Sequence, residues 1–424
     1  MTRPTPADSL TAGASGELPD ADVVIVGGGL IGLTLAAALG RAGLMVTVVD
    51  REQPGVAAAD PFDGRGSAIA WGSAQALVAI GLWPHLASHA QAINEIRVSD
   101  GDSALFLHYD HRDVSDHPLG FIVENRYIRR ALYEHIAAIP EVRLVAPAEV
   151  KDLRSRAGHL EARLADASQV RARLAVACDG RASPSRTRAR IRVTRWDYPQ
   201  TGIVCSIAHQ RPHNGVAHER FLPAGPFAVL PLPDSPAGEH RSSIVWTERA
   251  ELAATMMALC DDEFADEIAR RFGASLGRIR VAGPRWAYPL GLLQAERYTA
   301  ERLALAGDAA HAIHPIAGQG LNLGLRDVAA LAECVVDAFR LGLDIGAGDV
   351  LERYARWRRF DNLVLMAVTD GLNRLFSTDL APLRLARDLG LGIVNEIAPL
   401  KRFFMRHAMG VVGDLPRLVR GQAL

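Results

Sequence analysis

Asp22 to Asp50 reads DVVIVGGGLIGLTLAAALGRAGLMVTVVD. Val23 to Val26 is a short apolar, β-branched run of the kind that forms a buried parallel strand. Gly27-Gly28-Gly29 follows as a tight turn, and Leu30 to Arg41 reads as a helix. Val46 to Val49 forms a second strand that ends on Asp50. The stretch is therefore a strand, a turn, a helix and a strand, and this unit places the chain among α/β proteins with a parallel sheet.

Within it Gly27, Gly29 and Gly32 have the spacing G-x-G-x-x-G. The first lets the chain turn sharply, the second lets backbone approach a pyrophosphate, and the third brings helix and strand close together. The helix start offers unpaired N–H groups and a partial positive charge to that anion. Asp50, roughly 20 residues on, stands where an acid accepts ribose hydroxyls. An ADP-containing cofactor follows from the order of these elements, which a Gly-rich turn alone would not establish.

At 424 residues the chain is too long for one core, so about two or three units are expected. A net charge of −1 gives no global attraction to nucleic acid. Cys178, Cys205, Cys260 and Cys334 are far apart, which argues against a zinc site or a disulfide framework and fits a reducing cytosol. The first twenty residues lack an apolar core segment and read as a loose tail without a secretory signal.

Further along, Arg65 lies in a loop, a natural place for a cation reaching a phosphate, and Ser73 is a candidate cap for a helix that Gly81 stops. Ile93 to Leu107 alternates like a hairpin around Asp100-Gly101, and a helix is expected from about Asn125 to Ala138. The run Leu174 to Ala177 ends at Cys178-Asp179-Gly180, and strand ends are where ligands gather in open α/β sheets. Arg181, Arg186, Arg188, Arg190, Arg192 and Arg195 read mainly as solvated surface, with a nicotinamide-cofactor phosphate or an anionic membrane as alternatives. From about Arg195 to Pro289, short alternating segments separated by Pro and Gly predict an antiparallel sheet interrupted by one helix near Cys260 to Phe272. Leu303 to Ala306 restores parallel-strand character, and a long helix starts near Gly320. Its N-terminus would present N–H groups to something that becomes anionic. From Val350 onward the chain reads as helical. The last segment mixes bulky apolar residues with Lys401, Arg402, Arg406, Arg417 and Arg420, which means core or interface packing, or contact with a membrane surface.

Three motifs stand together: GGGLIG at Gly27 to Gly32, CDGRASPSR at Cys178 to Arg186, and GDAAHAIHPIAGQGLN at Gly307 to Asn322. To these are added DGRGSAIAWGS from Asp63, VEN at Val123 to Asn125, WAYPL at Trp286 to Leu290 and HPIAGQGLNLGLRD at His314 to Asp327, within a resemblance that extends over most of the chain from about Asp22 to Asp361. The chain resembles the single-component, class A flavin-dependent aromatic hydroxylases, and within them the ubiquinone-biosynthesis hydroxylases of the UbiH/UbiF type.

That resemblance implies FAD, with Gly27, Gly29 and Gly32 at its pyrophosphate, Asp50 at its ribose and Arg51 beside the adenine. Arg65 and Asn125 would lie near the pyrophosphate and ribityl chain. Asp179 and Gly180 would serve FAD and, indirectly, the nicotinamide cofactor. Gly307 and Asp308 would reach a ribityl hydroxyl, with Pro315, Gly318, Gln319, Gly320, Leu321 and Asn322 along the isoalloxazine. The family usually has Glu where this chain has Asp50. No second G-x-G-x-x-G is present, which disfavours a separate nicotinamide-binding domain. His314 and Tyr288 are the candidate catalytic side chains, each with a structural role as the alternative.

The implied organisation is a Rossmann-like FAD-binding domain with a parallel sheet (21–90, 116–195 and 290–345), an antiparallel-sheet substrate domain (91–115 and 196–289) and a C-terminal helical region (346–424). The implied reaction is hydroxylation of a polyprenylated phenol in ubiquinone biosynthesis, with NADH or NADPH as donor, O2 as co-substrate and a C4a-hydroperoxide as oxygen carrier. Other quinone-biosynthesis proteins and a membrane surface are the implied partners, with the chain cytoplasmic or peripheral on the inner membrane and no nucleic acid bound. Rival readings are a hydroxylase of a small soluble aromatic, a flavin reductase or oxidase, and a non-catalytic FAD-binding scaffold.

Overall fold

In the computed structural model the Ala21–Val26 strand lies at the centre of a sheet, and its apolar composition follows from that position. It is flanked in parallel by Val46–Val49 and Gln169–Ala177, with Val23 level with both Val46 and Leu174. Val142–Val145 and Leu303–Leu305 extend the parallel core on its two sides. An antiparallel hairpin, Val150–Arg156 with His159–Leu164, joins the same sheet. Val23, Val24 and Ile25 are fully buried because both sheet faces are covered, as parallel sheets require. The structure describes residues 21–54, 65–101, 103, 106–314, 318–376, 390 and 392–424. The expected N-terminal tail and Pro315 fall outside these residues.

The helix after the fingerprint spans Leu30–Arg41, and it packs against Asn125–Ala137 and Gln319–Arg340. Two glycines allow this packing. A Cβ on Gly32 would sit 1.9 Å from the Gly27 carbonyl oxygen, and one on Gly27, where φ is +106°, would sit 2.4 Å from the carbonyl oxygen of Cys178. No side chain fits at either point.

A second sheet of nine strands is built on Val193–His209, which pairs antiparallel with Trp286–Ala295 and His240–Arg249. The Glu95–Asp100/Phe106–Asp110 hairpin attaches to its edge through a parallel pairing with Val216–Leu222. One face packs Ile203, Cys205, Phe227 and Trp246 against Phe264 and Ile268 of the Asp261–Phe272 helix. The other face meets a small three-stranded sheet, Gly66–Ala70, Gly120–Glu124 and Gln91–Ile93, through Ala217, Leu232, Ile122 and Ile93.

Four local expectations are corrected. The antiparallel region holds a second helix, Ala250–Ala258, in which Ala253 is the one buried residue, so its pattern lacked a clear apolar stripe. Ser73 does not cap: the helix is Trp71–Ala79 with Ala70 at its N-cap, and Ser73 is buried inside the first turn. Helix does not run to the C-terminus. Gly348–Phe376 and Ala398–Ala408 are helical, and Gly410 and Gly413, both at positive φ, follow an irregular path after them. The arginine run is not uniformly solvated, since Arg186 is buried and donates to the carbonyls of Ala309 and Arg181.

Asp327, fully buried on the Gln319–Arg340 helix, ties the C-terminal helix to the core. One carboxylate oxygen accepts from the Gly307 N–H at 3.1 Å and from His311 Nε2 at 2.5 Å. The other accepts from Arg358 Nε at 2.9 Å and Asn362 Nδ2 at 3.3 Å. Burial alone would raise the Asp327 carboxyl, but His311 and Arg358 outweigh it and hold the group well below the usual carboxylate range.

Two variants test this packing. Arg358→Met leaves Asp327 buried without its cation and should cost about 3–5 kcal/mol in denaturant unfolding at neutral pH. Because the Asp327 pKa is depressed in the fold, the stability it contributes is complete above the unfolded value of about 4 and is lost as pH falls below it. The gap between wild type and Arg358→Met should therefore narrow below about pH 4; a gap that widens there would contradict the assignment. Gly32→Ala should separate helix from strand and lower both soluble yield and melting temperature, and an unchanged melting temperature would refute the close approach.

Candidate active site

The first half of the site forms where three parallel strands end. Gly27, Gly29, Asp50, Arg51, Asp179 and Gly180 together line one cavity of about 590 Å³. Gly29 is the N-cap of the Leu30–Arg41 helix, and a Cβ there would meet nothing within 4 Å, so the helix start opens directly onto this space. Gly180, at φ +82°, likewise has open space where a side chain would project. Asp50 is anchored by accepting from the backbone N–H groups of Gly28 and Glu52, the latter at 2.6 Å. Its carboxylate is thus held at the rim of the cavity by local backbone, as a group that recognises ribose hydroxyls must be. Arg51 is exposed beside it.

Asp179 has a different arrangement from the one its motif suggested. Its two oxygens accept from Ser183 Oγ at 2.5 Å and the Ser185 N–H at 2.9 Å, so the carboxylate organises the turn into Pro184–Arg188. What faces the cavity is chiefly the backbone of the Asp179-Gly180 turn. Nearby, Nε and Nη2 of Arg181 are buried without a hydrogen-bond partner among the described residues.

The second half lies at the start of the Gln319–Arg340 helix. Ile31, in the first turn of the fingerprint helix, is the atom group that a Cβ on Gly307 or Gly324 would strike, at 3.0 and 2.5 Å respectively. The two helix starts therefore stand on either side of one side chain. Gly318 caps the long helix in the left-handed conformation at φ +62°, and its Cβ would come within 2.8 Å of Ala68. Gly320 has nothing within 4 Å, so this helix start also opens onto free space. Gln319 and Leu321 are half-buried at its edge. Asn322 is not available to a ligand: its amide accepts from Ala70 N–H at 2.8 Å and donates to the carbonyl of Ala68 at 2.7 Å, clamping the helix to the Gly66–Ala70 strand. Asn125 is similarly used, accepting from Ser67 Oγ at 2.6 Å.

Asp308 has no hydrogen bond or ion pair among the described residues, and it reaches open space from within a deep recess of the protein. Burial raises its carboxyl, and the charges of His311, Arg181 and Arg65 partly offset that rise. The guanidinium of Arg65 lies 5.8 Å from the Tyr288 ring centroid, which brings two residues 223 positions apart in the chain to one wall.

His314 is fully buried and neither ring nitrogen has a partner among the described residues. Its ring meets the edge of Tyr198 at 5.3 Å, and Tyr198 donates to Asp370 at 2.7 Å. Burial lowers His314 to about 4, so it is an uncharged imidazole at neutral pH. The Tyr198–Asp370 pair and the Asp327–Arg358–Asn362 group were not found by sequence reasoning. They join residues at long range without any local motif, and only Asp327 lay inside a quoted motif.

These features fit FAD. Two helix starts opened by glycine suit a pyrophosphate and an anionic ring edge, and Asp308 is a solvent-accessible carboxylate that lacks a donor among the described residues. The comparisons agree. The family profile described as FAD binding domain matches residues 20–358. Ubiquinone hydroxylase UbiL of Rhodospirillum rubrum is 51% identical over 407 residues, covering 95% of this chain and 94% of that protein. The 3-demethoxyubiquinol 3-hydroxylase of Escherichia coli is 34% identical over 394 residues, 92% of this chain and 98% of the relative. Among solved structures, p-nitrophenol 4-monooxygenase PnpA of Pseudomonas putida superposes with a TM-score of 0.76 over 92% of this chain and 98% of that one, at 21% identity, a likeness of fold. The chain belongs to the FAD-dependent monooxygenases of ubiquinone biosynthesis.

Proposed function

We propose that this chain hydroxylates the ring of a polyprenylated phenol, using NADH or NADPH and O2. The observation that carries the reading is the open helix start at Gly320 together with the unpartnered Asp308 of the Gly307–Ala309 turn, which packs against that helix. Reduced FAD supplies the activation of O2 and delivery of one oxygen atom to the ring. The backbone at Gly27 and Gly29 would hold its pyrophosphate, Asp50 its ribose and Asp308 a ribityl hydroxyl. The N–H groups at the start of the Gln319–Arg340 helix would stabilise negative charge on the ring edge. Arg65 and Tyr288 would form one wall against the substrate. His314, uncharged, would position a polar group without adding charge to the recess. Residues 91–115 and 196–289 would thus serve as the substrate side, and the parallel-sheet unit as the cofactor side.

A greasy substrate also explains the outer surface. Phe360, Leu363, Val364, Val368, Phe403 and Phe404 are exposed on the two C-terminal helices, interleaved with exposed Arg356, Arg359, Arg402 and Arg406. None of the helices among the described residues is long and apolar enough to cross a membrane. This surface would rest on an anionic bilayer, where apolar side chains enter the interface and arginines meet the headgroups.

Three measurements test the reading. Anaerobic flavin reduction by NADPH should accelerate with a short-chain prenylphenol and not with p-hydroxybenzoate; acceleration by the small acid alone would indicate a soluble substrate, and rapid reduction indifferent to either would indicate a reductase. Asp308→Ala should weaken FAD binding by about 10–100-fold in a fluorescence titration, the loss of one hydrogen bond involving a charged group. Retention of FAD at wild-type affinity would remove Asp308 from the site. Replacing Phe360, Phe403 and Phe404 together by Ser should reduce co-sedimentation with phosphatidylglycerol-containing vesicles while FAD content stays the same, and undiminished sedimentation would exclude this surface.

A further inference from the structure

Glu219 lies on the Val216–Leu222 strand, paired with Ala228 on one side and Val98 on the other. Strand alternation puts Ala217, Glu219 and Phe221 on the same sheet face. Each neighbour on that face marks a boundary of the space Glu219 enters. Ala217 clusters with Ile122, Leu230 and Ala68, and Ala68 is the residue against which Gly318 is packed at the start of the Gln319–Arg340 helix. Phe221 stacks on Phe376, at 4.0 Å between ring centroids, where the Gly348–Phe376 helix ends. Val98 packs against the cluster that holds Leu107 and Met405, the latter on the Ala398–Ala408 helix. The strand's basic side chains point away: His218, held uncharged by burial, meets Phe272 on the opposite face, and Arg220 donates to the Arg271 carbonyl.

Glu219 is therefore enclosed between the proposed isoalloxazine end, the sheet and both C-terminal helices, yet it is not fully covered by protein. It has no hydrogen bond or ion pair among the described residues. A carboxylate so placed has no structural partner to explain it, and even a half-buried carboxylate without one costs stability. We propose that Glu219 is the group that binds and deprotonates the phenolic hydroxyl of the substrate ring. This rests on the phenol-hydroxylase reading above. The phenolic proton passes to a Glu219 carboxylate oxygen, and the O–H electron pair stays on the substrate as phenolate, which enriches the ring carbon that accepts oxygen. The carboxylic acid then releases its proton to solvent as product leaves.

Burial, with no cation to oppose it, lifts Glu219 to about 7, the range in which a general base works at neutral pH. Titratable groups on elements packed against this face include Asp100, Tyr109, Glu124, Tyr198, Tyr288, His314, Asp370 and His407, with Lys401 paired to Asp113 and Arg402 and Arg406 exposed. Burial holds Tyr109 well above its ordinary value and His314 near 4, Glu124 is paired with Arg126 and Arg241, and His407 is exposed against Phe403.

The test measures hydroxylated product from a short-chain prenylphenol by the FAD-loaded enzyme between about pH 5.5 and 9. Wild-type kcat/KM should rise with pH through a midpoint near 7 and then level. Glu219→Gln, with FAD content confirmed, should lose about 10²–10⁴-fold and lose that midpoint. A ring-fluorinated prenylphenol, acidic enough to enter as phenolate, should restore most of the loss. Wild-type rates in Glu219→Gln, or no recovery with the fluorinated substrate, would overturn the proposal. Should Glu219→Gln fail to hold FAD, the wild-type enzyme decides: the limb near pH 7 should vanish with the fluorinated substrate, and its persistence overturns the assignment. A wild-type enzyme that hydroxylates no prenylphenol refutes the phenol-hydroxylase reading itself.

Discussion

One buried carboxylate, Asp327, fixes where the second half of the site can be. It receives the Gly307 backbone N–H, the His311 imidazole, the Arg358 guanidinium and the Asn362 amide, and so joins its own helix to two other stretches of chain. A charge this deep is tolerated only when donors surround it, so the stretches cannot drift independently. Asp308 and the Gly318–Gly320 helix start lie on the segments so joined. The ion pair is costly to bury, and what it contributes is a single geometry around the proposed flavin ring.

The glycines of the site divide by what surrounds them. Gly27, Gly32 and Gly318 are small because neighbouring protein atoms occupy the space a Cβ would need. Gly29, Gly180 and Gly320 are small while the space above them is open. The first group packs the fold and the second admits a flat or phosphorylated ligand, so the same residue type does two jobs that spacing alone does not separate. Asp50 and Asp179 show a similar division: backbone N–H groups hold Asp50 at the cavity rim, whereas Asp179 is spent on its own turn.

The large sheet has two unlike faces. One is a closed apolar core under the Asp261–Phe272 helix. The other carries Glu219 and Tyr288 toward the small sheet, the long helix start and the C-terminal helices. A substrate with a phenolic head and a prenyl tail matches that asymmetry, with polar groups at the depth of the recess and apolar side chains exposed on the helices outside.

Much of this was legible in the sequence. The fingerprint strand–turn–helix, the Asn125 helix, the Asp100-Gly101 hairpin, the Leu174–Ala177 strand and the long helix near Gly320 all follow from periodicity and glycine placement, which are local properties of the chain. The Ala250–Ala258 helix was not legible because it buries little, and the role of Ser73 was misread because a cap depends on the strand that precedes it. Side-chain partnerships were beyond reach for a different reason. Asn322 with the Gly66–Ala70 strand, Arg65 with Tyr288, and Asp327 with Arg358 pair residues whose separation in sequence carries no signal. Local pattern by itself determined the α/β class, the dinucleotide-type turn and the family resemblance. Only the tertiary structure decided which polar groups are consumed by the protein and which, such as Asp308 and Glu219, are left facing open space, because hydrogen-bond satisfaction is set by neighbours that the folded chain alone brings together.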